Sequence, residues 1–211
     1  MSDTSPTLGK TRPRTHAEIN EYRRKSFVEG AIRSLAEHGV SGTTVASICK
    51  QAGSSRGLLG HYFSTKDEVM VAALQHLFSQ ISGSIKTSLD RQDATATQKL
   101  LTLPDFLFAP AIFTDLNRTA FLALWHETRF NPHVRKANRQ LYRDYINRVE
   151  RMVDAAAKET GISVDARRIT LSFVAISDGL WLGLSIHDDV ITGEQAIEIC
   201  RDLLLRELRM T

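Results

Sequence analysis

The chain has 211 residues, 42% of them hydrophobic, and carries 27 Lys and Arg against 24 Asp and Glu, a net charge of +3. This supports one or two domains with a real core and excludes collagen-like, disordered and disulfide-stapled classes. Residues 1–78 hold 10 basic and 7 acidic side chains, leaving 17 of each beyond, so the whole excess lies in the first third.

Residues 1–14 read as a mobile basic tail, with Pro6, Pro13, Lys10, Arg12 and Arg14 and no apolar run of the kind a secretory signal needs. Thr15 and Glu18 have capping-box spacing and open a first helix whose apolar face is Phe27, Ala31, Ile32 and Leu35. Gly39 suits its end. Thr44 caps a short second helix with Val45, Ile48, Cys49 and Ala52 inward, closed by Gly53. Ser55 caps a third that runs to Phe63. Ser64 or Thr65 opens a fourth, with Asp67 and Glu68 in its first turn, continuing to about Leu89.

Beyond the polar stretch 90–97, Pro104 and Pro110 make residues 100–109 short or kinked. A helix over 115–130 stops at Asn131-Pro132. Three long helices follow, over about 133–160, 164–186 and 193–209, and strand signals are absent. The expected class is all-α with about nine helices. Residues 169–186 form an 18-residue apolar stretch close to membrane-spanning length. Asp178 at its middle makes a buried helix of a non-membrane protein the better reading. Cys49 and Cys200 have no paired spacing for a disulfide framework or zinc site and read as reduced, packed thiols of a cytoplasmic protein.

Two short helices joined by a turn containing Gly form a helix-turn-helix signature. Gly53 supplies the left-handed turn residue, Cys49 and Ala52 permit a close crossing, and the outer face of the third helix is free for a major groove. That face presents Arg56, Gly57, Leu58, Gly60 and His61. Arg56 suits bidentate reading of guanine, at about 1–3 kcal/mol of discrimination, and Leu58 a thymine methyl. Thr44, Tyr62 and Lys66 are placed for phosphates, and Ser55 opens the reading helix.

Residues 24–74 resemble the DNA-binding domain of the tetracycline-repressor family of bacterial regulators. The match rests on Gly39-Val40, Thr43-Thr44-Val45, Ile48, Ala52-Gly53, Ser55-Arg56-Gly57, Leu59, His61-Tyr62-Phe63 and Lys66-Asp67. Two positions depart: family members usually carry an apolar residue at Ser54, and many an aromatic one at Gly60. The resemblance implies a DNA-binding domain over 15–78 and a ligand-sensing, dimerising domain over 79–211. It also implies a homodimer joined through the last two helices and a double-stranded operator as partner. Val174, Leu180, Leu184, Leu203, Leu204 and Leu208 are candidates for that seam or for the subunit's own core.

The stretch from Ala120 to Trp125, Asn131-Pro132 and the stretch from Asp178 to Leu182 are similar to the choline-responsive, BetI-type repressors of that family. For a quaternary ammonium, Phe121, Trp125, Phe130 and Trp181 would form an aromatic cage and Asp178 its carboxylate. The same residues also read as ordinary core, and other metabolites as effector. An enzyme is not expected. His126-Glu127 lacks the second histidine of a zinc-protease helix, His187-Asp188-Asp189 reads as a polar helix end rather than a metal site, and no cofactor fingerprint is present. The expected function is a ligand-released repressor. A helical binding protein without DNA function is the rival class.

Overall fold

Side-chain caps set most of the helix starts in this all-α chain. The computed structural model describes residues 15–90, 92–187 and 189–210; the expected tail, residues 1–14, lies outside them. The described residues form ten helices: α1 His16–Gly42, α2 Val45–Gln51, α3 Arg56–Gly60, α4 Lys66–Leu89, α5 Ala96–Leu101, α6 Leu103–Leu107, α7 Asp115–Glu127, α8 Pro132–Thr160, α9 Ala166–Ile186 and α10 Gly193–Glu207. The proline-punctuated stretch divides into α5 and α6. Its start came earlier than the sequence suggested, because Thr95 and Gln98 form a reciprocal capping box inside the polar stretch.

Thr15, Thr44 and Ser55 cap α1, α2 and α3 as expected. Thr65 rather than Ser64 caps α4, its hydroxyl accepting from the Glu68 amide while the Glu68 carboxylate accepts from the Ser64 amide. Gly39 takes φ +64°, but the helical turns resume beyond this kink as far as Gly42.

Between α2 and α3 the turn is a complete Schellman closure. The Ser54 amide donates to the Cys49 carbonyl and the Gly53 amide to Lys50, at 3.0 and 3.2 Å, with Gly53 at φ +60°. At Ser54 the family's usual apolar residue is missing, and the Ser54 hydroxyl is buried with no partner among the described residues. Where α2 crosses α1 the approach is closest at Gly30. A Cβ there would lie 2.8 Å from the Ile48 carbonyl and 3.0 Å from Ala52.

α1 packs on α2, α4 and α7, α8 on α4, α5 and α9, and α9 on α10. The buried apolar side chains form one connected core from Phe27 to Leu208. α9 is long and apolar enough to cross a membrane by those criteria alone. In the fold it buries Ile169, Phe173, Val174, Trp181 and Leu184 within the bundle.

α4 and α8 run side by side in the same direction. Residues 67–75 of α4 share a groove with residues 132–143 of α8, residues 78–82 meet Tyr142 and Tyr145, and residues 79–90 meet residues 148–155. The seam starts at a joint made by Asn131. Its carboxamide oxygen accepts from the His133 and Val134 amides, capping α8, while its nitrogen donates to Asp67 of α4 at 2.8 Å. Arg135 reaches back to the Thr128 and Arg129 carbonyls and closes the end of α7.

Gly30→Ala is expected to force α1 and α2 apart, costing about 1–3 kcal/mol and lowering the thermal midpoint by several degrees in a circular-dichroism melt. An unchanged midpoint would show that the crossing has slack.

Candidate functional site

At the α3 end of the molecule, Arg56, Gly57 and His61 are exposed and Leu58 is half-buried against the core. Leu58 is therefore a packing residue that offers only part of its side chain outward. Thr44 is exposed at the start of α2, and Ser55 accepts from the Leu58 amide with its backbone unit at the start of α3. Two of the phosphate candidates are braced from behind. The Tyr62 hydroxyl donates to Asn20 of α1 at 3.0 Å while its ring packs on Phe27, and the Lys66 ammonium donates to the Thr43 carbonyl at 3.0 Å. The sequence pattern did not reveal Asn20 or Thr43 in these roles.

The second site is an aromatic cage between α4, α7, α8 and α9. Phe121 stacks edge-on against Trp125 at 5.1 Å and tilts against Trp181 at 5.2 Å. Phe78 closes one side, 5.5 Å from Phe121 and 5.3 Å from Tyr142. The Trp181 indole N–H donates to the Leu107 carbonyl. These rings, with Tyr145 and Asp178, surround a cavity of about 40 Å³, room for little more than one water molecule.

Asp178 is the one charged side chain among the described residues lining this cavity. It accepts from the Tyr142 hydroxyl at 3.2 Å. Burial pushes its carboxyl up to about 6, the Tyr142 bond offsetting part of the rise. Burial, then the nearby Asp178 charge, raise both Tyr142 and Tyr145, so both phenols stay neutral. The Tyr145 hydroxyl is buried beside Ser177, with no partner at hydrogen-bond geometry among the described residues. An apolar, ring-lined cavity with one uncompensated carboxylate favours a cation of low hydration.

Of the five cage residues expected from sequence, Phe121, Trp125, Asp178 and Trp181 come together. Phe130 does not. α7 ends at Glu127, so Phe130 sits in the following turn, 70% exposed, with its ring 5.0 Å from His126. Phe78, Tyr142 and Tyr145 complete the cage unannounced, since their helical spacing marked them only as inward-facing.

Residues 96–209 match the family described as "BetI-type transcriptional repressor, C-terminal", and residues 27–73 match "Bacterial regulatory proteins, tetR family". The chain belongs to the TetR family, in its BetI-type branch. Members of this family are transcriptional regulators that bind DNA through a helix-turn-helix. The chain is similar to the HTH-type transcriptional regulator BetI of Serratia proteamaculans, 24% identical over 90% of this chain and 95% of that one. Its fold is similar to a transcriptional regulator from Pseudomonas aeruginosa PAO1, with a TM-score of 0.76, 25% identity and coverage of 90% and 91%. It is also similar to one from Saccharomonospora viridis in complex with choline, with a TM-score of 0.75, 19% identity and coverage of 87% and 96%.

Among the described residues no three His, Cys, Asp or Glu side chains gather as a metal site; Asp188 lies outside them. Cys49 and Cys200 are free and buried, and burial raises both thiols, Cys200 to about 12.

The raised Asp178 value has a stability consequence. Its folded pKa lies above the ordinary 3.8, so folding favours the protonated form. That contribution is full below about pH 4 and is lost as pH rises through about 6. Asp178→Asn is expected to be more stable than the parent at pH 7, by on the order of 1–3 kcal/mol, with the difference vanishing near pH 4. Urea melts across this range check it; a less stable variant at pH 7 would remove the desolvation argument.

Proposed function

We propose that the chain is a cytoplasmic, ligand-responsive repressor that binds a near-palindromic operator as a homodimer and is released by a quaternary ammonium compound of the choline class. The observation that carries the effector reading is the aromatic cage around the half-buried Asp178 carboxylate, which faces no cation among the described residues lining the cavity. The BetI-type family membership supports it, as does the choline held by the Saccharomonospora viridis regulator of similar fold.

The working division is a DNA-binding unit over residues 15–78 and a sensing and pairing unit over 79–211. Its boundary falls inside α4, and that continuity supplies the linkage. Lys66 at one end of α4 is tied beneath the helix-turn-helix, and Phe78 and Ile81 line the cage. The cavity is smaller than choline. A bound effector must therefore push α4 and α8 apart, and α4 carries the displacement to α2 and α3. Operator affinity falls by the effector's differential affinity for the two arrangements and by no more.

Arg56 would read base edges, with Gly57 permitting close approach and Leu58 and His61 bordering the groove. Thr44, Ser55, Tyr62 and Lys66 would hold the phosphates. For pairing, Val174, Leu184, Leu204 and Leu208 are already buried in the subunit, and Leu180 and Leu203 are half-buried. The exposed apolar face of α9 instead carries Leu171, Ala175, Gly179, Leu182 and Ile186, at spacings of four, four, three and four, with Ile199 exposed on α10. We assign the seam to this face; to enter successive major grooves the two reading helices would stand about 34–36 Å apart.

Tyr62→Ala and Lys66→Ala are expected to weaken binding to every duplex, and Arg56→Ala to narrow the gap between operator and scrambled DNA by about tenfold or more. Gel shifts at fixed salt test this, and unchanged binding by all three would sink the operator reading. Leu182→Arg should yield monomers in analytical ultracentrifugation and lose operator binding with them.

In calorimetry, choline should bind the parent, bind Trp125→Ala at least tenfold more weakly, and bind the parent less well as pH falls through about 6, where Asp178 takes up a proton. Heat-free titration at pH 7.5 would remove the choline reading while leaving the regulator.

A further inference from the structure

The cage does not end at its rings. Ser82 of α4 lines both the 40 Å³ cavity and a larger hollow of about 770 Å³ on the side away from the helix-turn-helix. The two spaces are therefore neighbours along the α4–α8 seam. α8 passes from Tyr142 and Tyr145 in the cage to Arg148 and Arg151 in the hollow, and Arg148 stands about one turn, roughly 5 Å, past Tyr145. The Arg148 guanidinium donates to the Ser82 carbonyl, at the junction itself.

The two spaces have opposite electrical character. Among the described residues the cage is lined by one carboxylate and no cation. The hollow is lined by Lys86, Lys99, Arg148 and Arg151 against Asp90. Among the described residues none of these four cations makes an ion pair. Four cations with a single acid around one concavity leave a net positive charge that raises the local concentration of anions. A simple monocation gains nothing from them and is opposed on its way to Asp178. A ligand whose ammonium end carries an anion some distance away satisfies both.

Resting on the cage reading above, we infer that the effector is zwitterionic: a quaternary ammonium joined by a short chain to a phosphate or carboxylate. The ammonium sits with Asp178 among the rings. The anion sits between Lys86, Lys99, Arg148 and Arg151. The six residues from Tyr142 to Arg148 span about 9 Å of helix, longer than a two-carbon arm, so the anion is met by side chains reaching back along the seam, as Arg148 does to Ser82. An anion one carbon from the ammonium stays beside Asp178 and is disfavoured.

The test is calorimetry on the full chain with phosphocholine, choline and glycine betaine, at low and high salt. Phosphocholine is expected to bind at least tenfold more tightly than choline at low salt, with glycine betaine weakest and the advantage shrinking as salt rises. In the double variant Lys86→Gln with Arg151→Gln, both at exposed positions, phosphocholine should fall to the level of choline while choline is unchanged or slightly tighter. Arg148→Gln should act in the same direction, with a circular-dichroism melt reporting on its contact to Ser82. Choline binding as tightly as phosphocholine, or a preference that survives the double variant, overturns the zwitterion while keeping the cage. Failure of both choline and phosphocholine to bind overturns the cage and the zwitterion together.

Discussion

One carboxamide fixes the geometry on which the rest depends. Asn131 satisfies two backbone amides that α8 would otherwise leave open, and with the same group holds Asp67 at the start of α4. Two helices of 24 and 29 residues thereby begin at a common point and run the same way. From there their contents are registered against each other: a polar groove first, then the rings, then the basic hollow. One end of α4 carries Lys66 beneath the helix-turn-helix, and the middle of the same helix carries Phe78 and Ile81 into the cage.

The DNA-proximal end is preorganised by ordinary backbone accounting rather than by charge. The Schellman closure at Gly53 fixes the angle between α2 and α3, the missing Cβ of Gly30 lets α2 lie on α1, and Arg33 donates to the Gln51 carbonyl at the end of α2. Tyr62 and Lys66 are held by neutral partners, Asn20 and a carbonyl, which restrict their rotamers without neutralising them. If these two side chains hold phosphates as proposed, less side-chain entropy remains to be lost on binding.

Much of this was legible beforehand because caps and turns are local. Thr15 with Glu18, Thr44, Ser55 and Gly53 announce their roles within four residues of sequence. The all-α class and the helix-turn-helix follow from them. What stayed hidden was relational. Thr95 with Gln98 lay inside a stretch that looked merely polar. Phe130 continued an apolar rhythm past a helix end that only the turn before Pro132 defines. On α8, Tyr142 and Tyr145 sit among arginines and acids, and their periodicity says inward without saying toward which cavity. On α9 nearly every position is apolar, so the pattern could not divide the residues buried in the subunit from Leu171, Leu182 and Ile186 on its outer face. Gly30 gave no signal, because close approach depends on what crosses it.

The closed cage also bears on how such a regulator would respond over a range of effector concentrations. A receptor whose resting state excludes its ligand binds only through the fraction of molecules that are transiently open, and its apparent dissociation constant is raised by the inverse of that fraction. The cage has about 40 Å³ of space in this structure, so the open fraction would weigh directly on the apparent affinity. In a receptor of that kind the switching point would move with any substitution that changes the open fraction. Phe78 and Ile81 line the cage, so Phe78→Leu or Ile81→Val would change the space available and the ligand contacts together.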